Sequence, residues 1–372
     1  MSAVATEPPP VAAHSWDWPL AIIALVLAGF GLLMILSASS LGADATYGNA
    51  LHFVGRQSAG LIVGVLISAV VLAIPFATLR RLAWPGYVST LFLLLAVMAF
   101  GQTVNGATRW LSLGPVNLQP SEFAKIALVM VLSDYLANNR GRLWDAVGVG
   151  LPGLGLALPL VVLVVFQKDL GATVILLGLA GVLFFVAGLQ WRYAFGGVAA
   201  GLSLLVALVA MEPYRLQRLT SFADPFAHAD DAGYQVVQGW IALATGGAFG
   251  VGIANGVAQY GFLPEAHTDF IVAVIGEELG AVGWIAVIVL LAGLVWRAFH
   301  IAERAPELYG TLVAAGIGAM FAAQAIINIG VVGGVLPAKG LVLPFLSYGA
   351  SAAVVHTVSV GILLKISMLE EA

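Results

Sequence analysis

Between Tyr260 and Phe270 the chain reads Tyr-Gly-Phe-Leu-Pro-Glu-Ala-His-Thr-Asp-Phe, which puts Glu265, His267 and Asp269 within five residues. Two carboxylates and an imidazole at that density are the parts of acid–base chemistry. A general base needs hydrogen-bond reach to the proton it takes and a pKa near working pH, and partial burial lifts a carboxylate toward that value. An apolar run follows at once, holding Glu277 and Glu278. Ionisable groups beside or inside a membrane span are costly and mark candidate functional sites. Asp269 is therefore the candidate general base. The plain alternative is a solvated acid near the start of the next helix, with Thr268 or His267 as its cap. Glu277 lies eight residues on, about 12 Å deeper along a helix, and reads as a packing or relay group. One histidine among scattered acids is a weak metal motif.

Other polar groups stand at the ends of apolar runs. Ser121-Glu122-Phe123-Ala124-Lys125 follows Gln119-Pro120. Proline at a helix start costs little, an acid there suits the dipole, and residues three apart share a face. Glu122 and Lys125 read either as a self-contained ion pair or as a site where Lys125 meets phosphate and Glu122 positions it. Arg109-Trp110 offers a guanidinium for bidentate phosphate binding and a plane for a sugar face, against the alternative of interfacial anchoring. Arg56-Gln57 carries the same ambiguity. Gln167-Lys168-Asp169 reads as a tight polar turn, or places Asp169 in the same cavity. Arg215, Arg218, Asp224, Tyr234 and Gln235 are a solvated loop surface or a guide for an anionic headgroup. Asn328-Ile329-Gly330, Leu336-Pro337-Ala338-Lys339-Gly340 and Leu343 to Gly349 are dense in Gly and Pro. They predict broken helix, which at membrane depth must be buried in protein or line a wet cavity. That brings Lys339 and Ser347 toward the site, unless the segment is a simple kinked loop.

These residues must be positioned by membrane spans. Of 372 residues, 61% are hydrophobic and 9% charged, against roughly 25% charged in a soluble domain. No basic run exists, so nucleic acid is not a partner. Cysteine is absent, which excludes disulfides and thiolate catalysis. Residues 1–18 hold three prolines and no Lys or Arg, so they read as a disordered cytoplasmic tail rather than a signal peptide. With about 20 residues needed per crossing, ten spans are predicted near 19–38, 58–75, 84–101, 119–137, 146–166, 170–189, 193–211, 270–297, 307–331 and 342–366. The fold class is an all-α polytopic membrane protein, one domain over 19–368, with a large extracytoplasmic loop at 212–269 between spans seven and eight. Placing both termini in the cytoplasm puts eight Lys and Arg inside and six outside, with the inner loops the short ones that the positive-inside rule weighs. Residues 236–250 are apolar and Gly-rich and could re-enter the membrane.

Taken together, Asn105–Pro115, Gln119–Lys125, Pro213–Gln235, Leu263–Gly280 and Asn328–Gly349 resemble, in order, the motifs of the SEDS family of FtsW and RodA proteins. Leu263 to Phe270 and Leu336 to Gly340 are more similar to the FtsW branch, since RodA proteins usually carry Thr-Gly where Lys339-Gly340 stands. The family's Gln-Pro-Asp-hydrophobic-Gly-Thr reads Gln167-Lys168-Asp169-Leu170-Gly171-Ala172 here, and its Ser-Tyr-Gly-Gly-Ser-Ser reads Ser347 to Ala352.

The resemblance implies a ten-span peptidoglycan glycosyltransferase of the bacterial cytoplasmic membrane. It would polymerise lipid II on the outer face for septal wall synthesis, with a RodA-type elongation role as the near alternative. Asp269 falls on the family's essential aspartate, and Arg109, Trp110, Glu122 and Lys125 on motif positions. Implied partners are lipid II, undecaprenyl-pyrophosphate-linked glycan, a class B penicillin-binding protein, division-complex proteins and membrane lipid. No cofactor follows from the residues, although a divalent ion, Mg or Mn, could help at a pyrophosphate. In the expected reaction Asp269 takes the proton of an acceptor hydroxyl, while Lys125 and Arg109 stabilise the leaving pyrophosphate. The rival is a lipid II flippase, since broken spans and intramembrane charges suit transporters too. A passive division scaffold fits poorly with so many buried charges.

Overall fold

The computed structural model describes residues 16–369, apart from 105, 115, 191–195, 198–200, 202, 204–205, 207–221, 230–232 and 338–339. The chain runs through α1 (Trp18–Tyr47), α2 (His52–Ala73) and α3 (Phe76–Phe100) into a small sheet of β1 (Gln102–Val104), β2 (Ala107–Leu113) and β3 (Val116–Leu118). Then come α4 (Pro120–Asn138), α5 (Leu151–Phe166), α6 (Leu170–Val186) and α7 (Tyr234–Gly246). The last three are α8 (Ile271–Arg304), α9 (Leu308–Val332) and α10 (Ala350–Ser367). Among the described residues seven helices are long and apolar enough to cross a membrane: α1, α2, α3, the Val147–Phe166 helix that contains α5, α8, α9 and α10. α6 is apolar but shorter, and α4 carries Glu122, Lys125 and Asp134.

α9 and α10 form the centre, since 72% of the apolar window of each is buried, against 28% for α2 and α3. Leu25, Phe92 and Val289 stay exposed on the outside, as lipid-facing residues do. Association of helices in lipid depends on close packing rather than on water release, and α2 meets α10 through small residues. A β-carbon on Gly60 would lie 2.6 Å from the Ala350 carbonyl, and one on Gly64 2.7 Å from Thr357. α1 is capped by Asp17, whose Oδ1 accepts from the Leu20 amide at 2.9 Å and which also pairs with Arg297 on α8. Such a cap contributes about 1 kcal/mol. The ordered structure thus reaches back into the stretch assigned to the tail.

α8 is broken at Gly280, whose φ of +67° only glycine adopts without strain. Orphaned backbone groups at membrane depth cost several kcal/mol each, and here the segment after α7 takes them up. Val251 and Gly252 amides donate to the Glu277 and Glu278 carbonyls at 3.0 and 2.9 Å. Ala281 and Val282 amides donate back to the Gly247 and Ala248 carbonyls at 2.9 and 3.3 Å. The Gly-rich stretch expected to dip into the membrane is helix α7 up to Gly246, and its end is the mate of a helix break, tightest at two glycines. A β-carbon on Gly246 or Gly250 would fall 1.9 or 2.1 Å from a carbonyl of α8.

Several expectations need correction. The loop between α3 and α4 is an antiparallel sheet in the order β1-β2-β3, with Thr103 opposite Thr108 and Ser112 opposite Asn117. Asn105-Gly106 between alternating residues is a strong hairpin signal. Asn328 to Gly330 remain helical to the end of α9, and the break comes after Val332. The expected span at 342–366 is a non-helical approach followed by a helix that starts only at Ala350. Most of the first expected outer loop is helix, since α1 runs to Tyr47 and α2 starts at His52. The predicted span 193–211, and Arg215 and Arg218, lie outside the described residues or nearly so.

Candidate active site

Asp269 closes the irregular segment that leads into α8, two residues before Ile271, and is half-buried. Neither Thr268 nor His267 caps that helix, because its N-cap position is Phe270 and no side chain bonds there. Thr268 turns back instead, its hydroxyl 2.8 Å from Glu265 Oε2. Glu265 itself has a φ of +56°, which leaves its carbonyl free to accept from the Thr268 and Phe270 amides at 3.1 and 3.3 Å. Asn328 on α9 holds the segment from below. Its Nδ2 donates to the Asp269 carbonyl at 3.1 Å and to the Leu341 carbonyl at 2.8 Å. That one amide ties the Asp269 segment to the chain entering α10. Gly340 is the result: a β-carbon there would sit 3.2 Å from Asp269 Oδ2.

The stretch Gly340–Gly349 is the hub at this end of the bundle. The Tyr348 amide donates to the His267 carbonyl at 2.8 Å. Phe53 on α2 packs against both His267 and Tyr348, with ring centroids 4.4 and 4.9 Å away. Arg56, three residues on and half-buried, hydrogen-bonds the Tyr348 hydroxyl, so its cation stands beside the segment that carries Asp269. Burial raises the Tyr348 pKa, and Arg56 works against that rise. Burial lowers the His267 pKa, with the Glu265 carboxylate opposing. Gln57 is buried and bridges the hub, donating to the Ser347 carbonyl at 3.3 Å and accepting from the Gly349 amide at 3.0 Å. Ser347 is buried, and its Oγ accepts from the Leu343 amide at 3.0 Å, which makes it part of the turn.

A second group of expected residues reaches the hub through α4 and α6. Asp169 caps α6, its Oδ1 accepting from the Ala172 amide and its Oδ2 from the Ser121 hydroxyl, both at 3.1 Å. Asp169 is buried, so both its oxygens serve the frame. Two residues on, Gly171 lies against the hub, where a β-carbon would be 3.4 Å from the Gly340 carbonyl. The pairing expected from the spacing of Glu122 and Lys125 is present, with Lys125 Nζ 2.7 Å from Glu122 Oε2 and side-chain exposures of 0% and 4%. In this conformation the Lys125 ammonium meets a carboxylate and not solvent. Arg109 on β2 is half-buried; one Nη donates to the Lys168 carbonyl at 2.6 Å, while its Nε is buried without a partner. An incompletely satisfied guanidinium suits an incoming anion. Lys168 has a φ of +59°, closed to the proline that the resemblance would put there. Trp110, next to Arg109 on β2, stays half-exposed. Lys339 lies outside the described residues.

The structure therefore gathers Asp269, Arg56 and Ser347 directly around the hub, and joins Arg109 and Asp169 to it through the 168–171 turn. Glu122 and Lys125 stand inside, on the buried face of α4's first two turns. Gln57 and Asn328 are the joints that sequence reading undervalued. Each was visible as a polar residue inside an apolar run, but neither has an ionisable group to draw attention. Among the described residues no three His, Asp or Glu side chains converge to hold a metal.

The family model for FtsW, RodA and SpoVE, described as cell cycle protein, matches residues 18–372. A probable peptidoglycan glycosyltransferase FtsW from Geobacter sp. (strain M18) is 36% identical over 356 residues, covering 95% of this chain and 97% of the relative. One of the same description from Hahella chejuensis (strain KCTC 2396) is 40% identical over 363 residues, 94% of this chain and 89% of the relative. Stage V sporulation protein E of Bacillus subtilis (strain 168) is 37% identical over 354 residues, with 94% and 96% covered. Among solved structures, a chain of a peptidoglycan synthase complex that coordinates polymerization and crosslinking superimposes with a TM-score of 0.79 at 31% identity, covering 95% of this chain and 98% of that one. The rod shape determining protein RodA of Thermus thermophilus gives a TM-score of 0.70 at 30% identity, with 97% and 98% covered.

Proposed function

We infer the activity from one premise: this chain belongs to the FtsW/RodA/SpoVE family of cell cycle proteins. It is a multi-pass membrane protein and a peptidoglycan glycosyltransferase. We propose ten crossings, both termini in the cytoplasm, and residues 212–269 outside. The Asp269 end of the bundle then faces the outer leaflet. The predominance of FtsW among its relatives supports a septal role in division. The similarity to a chain of a complex that couples polymerization to crosslinking supports a class B penicillin-binding protein as partner.

The proposed reaction joins two lipid-linked sugars. The growing glycan on its undecaprenyl pyrophosphate is the donor, and the 4-hydroxyl of the GlcNAc on lipid II is the acceptor. Asp269 takes the hydroxyl proton as the new oxygen–carbon bond forms at the donor's anomeric carbon. The bond from that carbon to the pyrophosphate oxygen breaks, and the lipid pyrophosphate leaves with the electron pair. Attack from one face inverts the anomeric centre. Arg56 and Arg109 meet the pyrophosphate, with Lys339 joining them from its place next to Gly340 in the chain, and Trp110 stacks on a sugar. Lys125, Glu122, Asp169 and Ser347 hold the frame on which these groups stand. A divalent ion, where the reaction uses one, would neutralise charge on the pyrophosphate that Arg56 and Arg109 meet.

The observation that carries the assignment is the setting of Asp269: a half-exposed carboxylate on irregular backbone, with a glycine where any side chain would crowd its oxygens. The test is polymerisation of lipid II by the purified protein. Asp269→Asn, folded by thermal melting, should make glycan about 10²–10⁴-fold more slowly, the range of a general base. Polymer at the wild-type rate would remove Asp269 from the reaction. Movement of labelled lipid II across vesicles without polymer would favour the flippase.

A further inference from the structure

Glu277 is not used by the reaction as described, yet among the described residues it is one of the least exposed acids, at 2%. It sits in the second turn of α8, and its carboxylate leaves the helix to meet the backbone of the preceding loop. Oε1 accepts from the Val257 amide at 2.8 Å and Oε2 from the Ala258 amide at 3.1 Å. Gly256 makes room, since a β-carbon there would stand 2.7 Å from Oε2. Beyond Ala258 the chain runs through residues 259–270, delivers Asp269, and enters α8. The stretch therefore touches α8 at the Glu277 side chain and joins it at Ile271. It is a loop of Ω type, whose neck is fastened by the Glu277 carboxylate just past the Val251 and Gly252 amides that bond the Glu277 and Glu278 carbonyls.

We propose that Glu277 is a positioning residue for Asp269, which it serves by fastening the neck of the Asp269 loop to the helix that the loop enters. The inference rests on the catalytic role given to Asp269 above. The far end of the loop is held by Asn328, and the near end by Glu277. A carboxylate suits the task because two parallel N–H groups need two acceptor oxygens. Glutamine has the same shape but presents an NH₂ to one of them. With the neck open, Asp269 keeps its chemistry and loses its place, and displacements of about 1 Å cost on the order of 10²-fold in rate.

The test uses the purified full chain in nanodiscs with lipid II and three variants: Glu277→Gln, Gly256→Ala and the two combined. Each single variant should lower kcat by about 10–100-fold with KM within about threefold, and leave the acid limb of the pH–rate profile in place. Amide exchange should quicken over 257–270 and stay unchanged in α9 and α10. Because both variants open one clamp, the double variant should be no slower than about twofold below the worse single one. Gly256→Ala breaks the clamp from the loop side, so it carries the test if Glu277→Gln does not fold. The proposal is overturned by a folded Glu277→Gln protein within twofold of wild-type kcat, by exchange over 257–270 that does not change, or by losses that multiply. Asp269→Asn in the same assay separates the two claims. If it is active, the base assignment fails; if it is inactive while Glu277→Gln is active, only the positioning role fails.

Discussion

Two carboxylates with arginines nearby stand at opposite ends of this bundle, and they are built differently. At the end away from Asp269, Asp134 on α4 accepts from Arg80 Nε at 2.6 Å and from Trp84 Nε1 at 2.8 Å. Arg80 also donates to Asn138 Oδ1 at 2.6 Å and lies 5.0 Å over the Tyr309 ring. Each of these residues is on a regular helix, and both oxygens of the acid have fixed partners. Asp269 is on irregular backbone, half-exposed, in a segment with positive φ at Glu265 and Gly261 and next to a hub with positive φ at Phe345. Residue type does not separate the two sites, since both pair carboxylates, arginines and aromatics. The separation lies in the backbone and in the remaining access. An acid held between regular helices locks packing, whereas a half-exposed acid on a strained loop has a place for a substrate, at a cost of order 1–3 kcal/mol per strained residue.

The contrast can be broken by one pair of variants. Asp269→Asn should slow polymerisation about 10²–10⁴-fold and leave the melting temperature near wild type. Asp134→Ala should do the reverse. It strands the Trp84 N–H and leaves Arg80 only Asn138, the Tyr309 ring and Glu307 at 3.8 Å, and should cost about 2–3 kcal/mol, less than the ~3–5 kcal/mol of a fully buried pair because Arg80 keeps some water and those partners. Its turnover per folded molecule should stay within about threefold of wild type. Thermal melting and initial rates on the same preparations decide this. An Asp134→Ala protein that melts normally but makes no glycan would show that burial between regular helices is not the mark of a structural acid here.

The part of this division that was legible in the sequence is the part that depends on residue type. The density of Glu265, His267 and Asp269 beside an apolar run marked the site, because ionisable groups are costly there. The three-residue spacing marked the Glu122–Lys125 pair, and apolar length marked the long helices. What was hidden depends on the third dimension. Asp134 drew no notice because its partner Arg80 is 54 positions away. The role of Gly280 needs the loop after α7 to supply its hydrogen bonds. The small sheet was hidden for another reason: its turn signal at Asn105-Gly106 was present, and apolar spans on both sides drew attention from three short strands. The helical continuity through Asn328 shows tertiary packing overriding a glycine nearby.

The Glu122–Lys125 pair lies between the two extremes and sharpens the comparison. It is buried like Asp134 and close to the site like Asp269. If it serves the frame, Lys125→Met alone strands a buried carboxylate and should lower the melting temperature, as should Glu122→Leu alone. The double variant should recover most of that loss, since a buried pair replaced by apolar residues is often neutral. Polymerisation should recover with it. A stable double variant that stays inactive would return Lys125 to the pyrophosphate.

The smallest expected effect concerns His267, whose ring is held between Phe53 and Tyr348. Its folded pKa lies below the ordinary value near 6.5 because burial disfavours the imidazolium. The unfolded chain therefore binds the proton first as pH falls. The stability tied to a neutral His267 is fully present above about pH 6.5 and declines as pH drops from there through the folded value. Melting temperature measured between pH 7.5 and pH 5 should fall in the wild type, and His267→Gln should flatten that fall by about a degree or two. Asp269→Asn should leave the slope unchanged, because the imidazole is shielded by rings and opposed by Glu265 rather than by Asp269. A slope that disappears in Asp269→Asn instead would mean that the acid and the imidazole titrate as one unit, and the base would then be a coupled pair.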